Sequence, residues 1–276
     1  MSTSPLERIA THGLLFVACA VVLYPLVSIV LLALNPPGTP VSGVAFPTNP
    51  SLGGFSTAWG AGALGPSLIA SFEVAVPVVL ISVVLSILAG YAFGTMTFTG
   101  SGLLFFVLLL GIVFPYEALI TPLYYDFRAL GLTNSLVGLM LPEIGFGISF
   151  GTLWMRGVFR AAPKELFDAA RIDGAGTWTI LWRVLTPGAM PAILALMVFE
   201  FLNTWNEFLL ALVLVQRDDL RTAPVVLAFF AAGFRTTDRV VAAAAALLVA
   251  MPVVLVYFAL QRQFHRSMMS GALSDV

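Results

Sequence analysis

The sequence VAVPVVLISVVLSILAGYAFGTMTFTGSGLLFFVLLLGIVFPY, residues 74–116, contains no charged side chain. A helix needs roughly 20 residues to cross about 30 Å of hydrocarbon, so this stretch is too long for one crossing and suits two. Residues 95–102, TMTFTGSG, have the composition of a turn between them. The stretch therefore predicts a pair of membrane-spanning helices joined by a short connection.

Four more apolar windows of spanning length lie on either side of this pair. We expect the first at residues 14–34, and we interpret it as a retained helix because its apolar run is longer than that of a signal peptide. The others are expected at residues 136–155, 190–215 and 240–260. The predicted fold class is an all-α membrane protein with about six transmembrane helices.

The composition of the chain agrees with a membrane protein. Of its 276 residues, 59% are hydrophobic and only 10% are charged, and the mean hydropathy is +1.00. Soluble domains carry about 25% charged residues, so lipid is expected to cover much of this exterior. A net charge of −1 argues against a nucleic-acid partner. The single cysteine, Cys19, offers neither a disulfide nor a thiolate metal site, and we predict no metal site.

Three regions follow from this pattern. Residues 1–66 hold the first helix and a loop at 35–66 that is rich in Pro, Gly, Ser and Thr. We expect this loop to lie outside the cytoplasm and to contain little regular structure. Residues 67–262 form the main transmembrane domain, including a cytoplasmic loop at 156–186, and residues 263–276 form a cytoplasmic tail.

The positions of Lys and Arg predict the orientation, because cytoplasmic loops carry an excess of both. With the N-terminus inside, the cytoplasmic side holds Arg8, Arg156, Arg160, Lys164, Arg171, Arg183, Arg262 and Arg266. The outer side then holds Arg128, Arg217, Arg221, Arg235 and Arg239. Both termini are expected in the cytoplasm, and the loop at 156–186 is the most strongly basic segment.

Within that loop, residues 161–176, AAPKELFDAARIDGAG, predict a short helix. Pro163 suits the first turn, Glu165 favours the positive end of the helix, and Gly174 can stop it. Helical spacing gives the helix two faces, both partly apolar. One face consists of Leu166, Ala169, Ala170 and Asp173. The other consists of Phe167, Asp168, Arg171 and Ile172. A cytoplasmic helix of this kind suggests docking onto a partner.

The same loop carries a family resemblance. Asp168-Ala169-Ala170, Gly174 and Val184-x-Thr186-Pro187 resemble the E-A-A-x3-G-x9-I-x-L-P loop of type I ABC importer permeases, with Asp, Val and Thr in place of Glu, Ile and Leu. The resemblance implies that this loop couples the chain to a cytoplasmic ATPase. The residues assigned to coupling are Glu165, Asp168, Ala169, Ala170, Asp173 and Gly174.

Other segments resemble the carbohydrate branch of these bacterial importers, in particular the maltose-type second permease subunit. They are residues 121–123, 130–135, 141–142, 203–208 and 261–272, within a resemblance that covers residues 67–273. It implies a sugar permease in the bacterial cytoplasmic membrane that binds no cofactor itself. The implied partners are a second homologous permease, a cytoplasmic ATPase dimer that binds ATP and Mg²⁺, and an extracytoplasmic sugar-binding protein.

Polar residues inside the membrane are the candidates for the substrate path, because an ionised side chain there is costly and seldom without function. Candidates on the fifth predicted helix are Glu200, Asn203, Trp205, Asn206 and Glu207, with Thr204 on the same polar stripe. Carboxylate and amide groups suit sugar hydroxyls, and an aromatic face suits a pyranose ring. The alternative is that these groups only bind neighbouring helices. Glu73, Glu117 and Glu143 are interpreted as boundary or packing residues.

No motif predicts an enzyme. Lys164, the only lysine, is followed by Glu165, so no phosphate-binding loop is present and ATP hydrolysis is expected from another chain. His12 and His265 lie near opposite ends of the sequence, and they form neither a metal-binding motif nor a catalytic triad. The alternatives are an ion-coupled secondary carrier, because intramembrane carboxylates can relay protons, and a membrane-embedded transferase.

Overall fold

The computed structural model describes residues 5–40, 46–61, 64–233 and 238–272. In these ranges the regular structure is helical. The helices in chain order are α1 (Pro5–Ala33), α2 (Gly53–Ala61), α3 (Leu64–Thr95), α4 (Ser101–Val113), α5 (Tyr116–Ala129), α6 (Leu136–Arg160), α7 (Lys164–Ile172), α8 (Thr177–Gly188), α9 (Met190–Asn206), α10 (Leu209–Leu214), α11 (Ala223–Ala231) and α12 (Arg239–Ala272), with a 3₁₀ turn at Asp218–Leu220.

Among the described residues, four helices are long and apolar enough to cross a membrane, or up to six if each of two bent pairs forms one span. The four are α1, α3, α6 and α12. The bent pairs are α4 with α5, at 97°, and α8 with α9, at 79°. The prediction of about six spans therefore holds with each bent pair counted once, and the turn predicted at 95–102 separates α3 from α4.

The third and fifth predicted spans differ from the structure in detail. The third continues past Tyr116 as α5 instead of ending there, because Phe114 and Pro115 adopt extended backbone that bends the chain. The fifth was expected to run unbroken from 190 to 215, but α9 ends at Asn206 and α10 begins only at Leu209. The break occurs where Glu207 leaves helical geometry with ψ of 119°.

By internal contacts the chain divides into two compact units, Met1–Gly65 with Val226–Met251, and Pro66–Val225 with Pro252–Val276. In the first unit, Ala33 packs with Ala243 and Ala244 of α12, and Phe55 of α2 packs against this cluster. Residues 7–9 and 11–27 of α1 are exposed, Cys19 among them, and their apolar side chains suit contact with lipid.

The loop at 35–66 is more regular than the sequence predicted. It contains the helix α2, and α3 already begins at Leu64. The reason lies in tertiary packing, since Ala58 is fully buried and Phe55 joins the cluster around Ala33. Turn-forming residues surround this short apolar segment, so composition alone predicted a loop.

In the second unit, small residues bring α3 and α6 together. A Cβ atom built on Gly90 would lie 2.5 Å from the Met155 Cβ. One built on Gly151 would overlap the Ser86 hydroxyl, one turn earlier in each helix. Small residues at four-residue spacing allow helix backbones to approach closely within a membrane. This contact fixes α6, which supplies one wall of the cavity described below.

Candidate functional site

A cavity of about 550 Å³ lies within the second unit. Its walls come from α4, the start of α5, α6, α9, the break after α9 and the start of α10. The lining residues are Gly111, Ile112, Phe114, Tyr116, Glu143, Phe146, Gly147, Phe150, Phe199, Glu200, Leu202, Asn203, Thr204, Asn206, Glu207 and Leu210. A polar stripe on α9 thus faces a largely aromatic wall, as in sites that bind small molecules.

Glu143 of α6 also lines the cavity, although the sequence favoured a boundary or packing role for it. Its side chain is only 8% exposed, and neither carboxyl oxygen has a hydrogen-bond partner. Thr204 approaches this carboxyl group without forming a hydrogen bond of good geometry. A buried polar group without a partner is costly, which marks it as available to a ligand. The missed signal was an acidic residue one turn before Gly147 on a helix otherwise free of acids.

Glu200 lies deeper, at 4% exposure, and its Oε1 has no hydrogen-bond partner. A Cβ atom built on Gly147 would lie 2.6 Å from Glu200 Oε2 and 2.8 Å from the Ser82 hydroxyl. Glycine at position 147 therefore makes the space in which α3, α6 and α9 bring polar groups together. This placement agrees with either reading of Glu200, as part of a path or as an interhelical contact.

Asn203 and Asn206 both line the cavity and are exposed. Asn203 Nδ2 donates to the Phe199 carbonyl at 2.9 Å, and Asn206 Nδ2 donates to the Leu202 carbonyl at 2.7 Å. These bonds to the preceding turn fix both side chains on the helix surface. The Oδ1 acceptor of each amide is the group that can receive a hydrogen bond from a hydroxyl.

Glu207 occupies the break between α9 and α10. Its Oε1 accepts a hydrogen bond from the Leu210 N–H at 2.7 Å, so the carboxyl group caps the first turn of α10. The Tyr116 side chain lies close to the same carboxyl group. Glu207 therefore shapes the chain locally and also presents a polar group to the cavity.

Trp205 is the predicted path residue that the structure places elsewhere. Its ring is 2% exposed, outside the cavity lining, and packs against Phe72 and Phe201 at centroid distances of 4.9 and 5.4 Å. Since residue 205 is adjacent to Asn206 on α9, the helical turn directs the two side chains differently. The aromatic faces of the cavity come instead from several phenylalanines, including Phe150 and Phe199, which stack at 4.3 Å.

The predicted short helix is α7, close to the expected bounds. Gly174 has φ of +75°, and the Ala175 and Gly174 N–H groups donate to the Ala170 and Arg171 carbonyls. This Schellman arrangement ends the helix at the predicted glycine. The helix packs against residues 180–185, where the backbone is π-helical, and Pro187 just beyond has no N–H to donate to an α-helical bond.

The faces of α7 differ from the predicted ones. Ala170 is 8% exposed and Phe167 is half-buried, so the inner side takes one residue from each predicted face. Ile172 is 87% exposed, although it is apolar. The remaining residues assigned to coupling are exposed, namely Glu165, Asp168, Ala169, Asp173 and Gly174. Exposed apolar side chains on a short helix are typical of a surface that contacts another protein.

The family model for the inner membrane component of binding-protein-dependent transport systems matches residues 75–270. The chain belongs to this family. It is therefore a membrane permease subunit of an ABC importer, which implies an ATPase and a substrate-binding protein as partners. The membership favours transport over the transferase and secondary-carrier alternatives.

Curated relatives and solved structures resemble the permease over most of its length. It is 31% identical to the trehalose transport system permease protein of Mycobacterium tuberculosis, over 91% of this chain and 92% of that protein. It is 28% identical to the diacetylchitobiose uptake system permease protein of Streptomyces coelicolor, over 95% and 87%. A chain of a bacterial ABC transporter that imports the acidic polysaccharide alginate has the same fold, with a TM-score of 0.81, 23% identity, and coverage of 96% and 99%. The predicted type I importer fold is confirmed.

Proposed function

We propose that this permease conducts a carbohydrate across the bacterial cytoplasmic membrane, and that the cavity is its part of the path. The observation that carries this proposal is the cavity lining, which combines carboxyl and amide groups with aromatic rings. Sugar hydroxyls need hydrogen-bond partners, and the apolar face of a pyranose ring packs well on an aromatic side chain. The names of the relatives, which specify trehalose and diacetylchitobiose, agree with this substrate class.

The path residues in this proposal are Glu200, Asn203, Asn206 and Glu207 of the predicted set, together with Glu143. The first four lie along the cavity side of α9 and its end, and Glu143 faces them from α6. Trp205 is not included because its ring is buried against other aromatics. Phe114, Phe146 and Phe150 supply the aromatic faces instead.

Both termini lie in the cytoplasm in this proposal, with α7 on the same side. The clustering of Arg156, Arg160, Lys164, Arg171 and Arg183 in one short segment supports this orientation. A second homologous permease completes the path. The partner ATPase dimer binds ATP and Mg²⁺, and an extracytoplasmic binding protein delivers the sugar.

Transport follows alternating access. When ATP binding closes the ATPase dimer, α7 moves with the surface on which it docks. Since α7 packs against residues 180–185, the displacement passes to α8. The chain then turns by 79° into α9, which carries Glu200, Asn203 and Asn206. A movement received at the cytoplasmic helix is thus transmitted along the backbone to the wall of the cavity.

The proposal is tested by purifying the importer with its native partners and reconstituting it in liposomes. Uptake of radiolabelled trehalose and diacetylchitobiose is measured with and without ATP and the binding protein. We expect uptake of at least one carbohydrate of such a panel, dependent on both, and its loss in Gly174→Asp. Uptake driven by an ion gradient without the ATPase would instead indicate a secondary carrier.

A further inference from the structure

The charged groups that line the cavity all have the same sign. Glu143, Glu200 and Glu207 contribute three carboxyl groups. None of the described residues in the lining is a lysine, arginine or histidine. The other polar lining groups are neutral. They are the amides of Asn203 and Asn206 and the hydroxyls of Tyr116 and Thr204.

Two of these carboxyl groups have oxygen atoms that accept no hydrogen bond. Both oxygens of Glu143 and one oxygen of Glu200 are buried without hydrogen-bond partners. More than nine-tenths of each of these two residues is shielded from solvent, yet both line the cavity. Such groups gain most from a ligand that brings hydroxyl donors.

Two arginines of the same unit have partners away from the cavity. The Arg156 guanidinium lies 4.2 Å from the centre of the Phe105 ring, and its Nε donates to the Phe93 carbonyl. Arg217 pairs with Asp219 in the segment that follows α10. None of these arginines lies in the cavity lining, so an anion entering the cavity meets no counter-charge from these residues.

We infer that the cavity selects uncharged carbohydrates and rejects anionic ones such as uronates and sugar phosphates. This rests on the proposed function and narrows its substrate class. An ionised carboxylate repels an anion, and a protonated carboxyl group cannot neutralise one. An uncharged sugar avoids both costs, because its hydroxyls donate to the carboxyl and amide oxygens while its C–H faces contact Phe146 and Phe150.

The test measures the charge selectivity of the cavity directly, on the assembled importer and without the binding protein. Cys19 is first replaced by serine, and a reporter cysteine is introduced as Asn206→Cys in the cavity. The matched reference is Thr48→Cys, at an exposed residue in an uncharged segment. Each is modified with neutral 2-hydroxyethyl methanethiosulfonate and with anionic 2-sulfonatoethyl methanethiosulfonate.

We expect the ratio of anionic to neutral modification rate to be at least about tenfold lower at the cavity cysteine than at the reference, as for a site of unfavourable potential. Adding Asn203→Lys should raise the ratio toward the reference value, whereas the uncharged Asn203→Gln should not. Equal ratios at both cysteines, or no effect of the lysine, would overturn the inference. So would a cavity cysteine that the neutral reagent cannot reach.

If Asn206→Cys does not accumulate, Leu202→Cys serves as the reporter, because Leu202 also lines the cavity. Failure of the proposed function has a different signature. In that case the reconstituted importer shows no ATP-dependent carbohydrate uptake, whatever the ratio of modification rates. A basic residue supplied by a neighbouring subunit would appear as a ratio near that of the reference, which counts against the inference.

Discussion

The helix α7 and the cavity are built in opposite ways. The hydrogen bonds that start and end α7 join residues within 163–175, and Gly174 and Pro163 lie at its two ends. The cavity draws its lining from residues as far apart as Gly111 and Leu210, on several helices. The helix α7 is formed by residues close together in sequence, and it is exposed and charged. The cavity is formed by the packing of several helices and is partly shielded from solvent.

This difference predicts that substitutions in the two regions have different effects on docking and on stability. A substitution on the outer side of α7 should block docking without destabilising the chain, because the altered side chain meets nothing in the folded permease. A substitution in the framework of the cavity should destabilise the fold before it affects transport specifically. Variants that separate these two outcomes test the contrast.

The largest effect is expected from Ala169→Trp. Ala169 is exposed on α7, so a large side chain there fits the permease itself but obstructs a surface docked on the helix. We expect uptake to be abolished and the copurified ATPase to be lost, while the amount of permease in the membrane stays normal. Ala161→Trp, exposed just before α7, is the matched control and should retain ATPase association. Normal uptake by Ala169→Trp would contradict the coupling role.

Gly151→Leu should disrupt the cavity framework instead. A Cβ atom at position 151 would overlap the Ser86 hydroxyl, and Leu196 lies 3.3 Å away. Overpacking of this kind costs about 1–3 kcal/mol or more, so thermal unfolding in detergent should shift clearly downward. Gly145→Leu on the same helix is the control, because no atom lies within 4 Å of a Cβ built there. Equal stability of the two variants would contradict the close packing of α3 and α6.

Substitutions of Glu207 can separate its capping of α10 from its contribution to transport. Glu207→Gln keeps an oxygen that can accept from Leu210 N–H, so we expect native thermal stability but uptake lowered by about tenfold, as for loss of a charge-assisted hydrogen bond. Glu207→Ala should show the same loss of uptake and also a destabilisation of about 1 kcal/mol from the lost cap. Sugar uptake kinetics and thermal unfolding are measured on both variants. Unchanged kinetics in Glu207→Gln would reduce Glu207 to a structural role.

The smallest effect on transport is expected at Asn134, outside both regions. Asn134 has φ of 55°, and its Oδ1 accepts hydrogen bonds from the Gln216 and Arg217 N–H groups. Asn134→Ala should cost about 1–2 kcal/mol through backbone strain and lost hydrogen bonds. Asn134→Asp retains the acceptor and should be nearly neutral in thermal unfolding. Neither variant should change the coupling of uptake to ATP, which is measured as sugar transported per ATP hydrolysed.

The sequence predicted the local features well. The turn between α3 and α4, the start of α6 at residue 136 and the ends of α7 agree with the predictions to within a few residues. Each depends on nearest-neighbour properties, such as an apolar run, a proline in the first turn or a glycine with positive φ. The roles of the residues assigned to coupling and to the path stay predictions.

Residues that depend on distant partners were harder to place. Whether Glu143 packs or faces a cavity depends on α9, which lies more than forty positions further along the chain. Trp205 and Asn206 are neighbours in sequence, yet one is buried against Phe72 and the other is exposed. No spacing rule distinguishes these cases without knowing which helix lies opposite.

The sequence alone determined that the chain crosses the membrane and where the short helix α7 begins and ends, because hydrocarbon thickness and backbone capping act on contiguous residues. The tertiary structure decided which intramembrane polar groups face one another. Packing of α3 on α6 through Gly151 and Gly147 sets the space around Glu200, and the bent pair α8 and α9 brings the polar stripe opposite Glu143. These contacts join residues far apart in the chain, so only the folded arrangement fixes them.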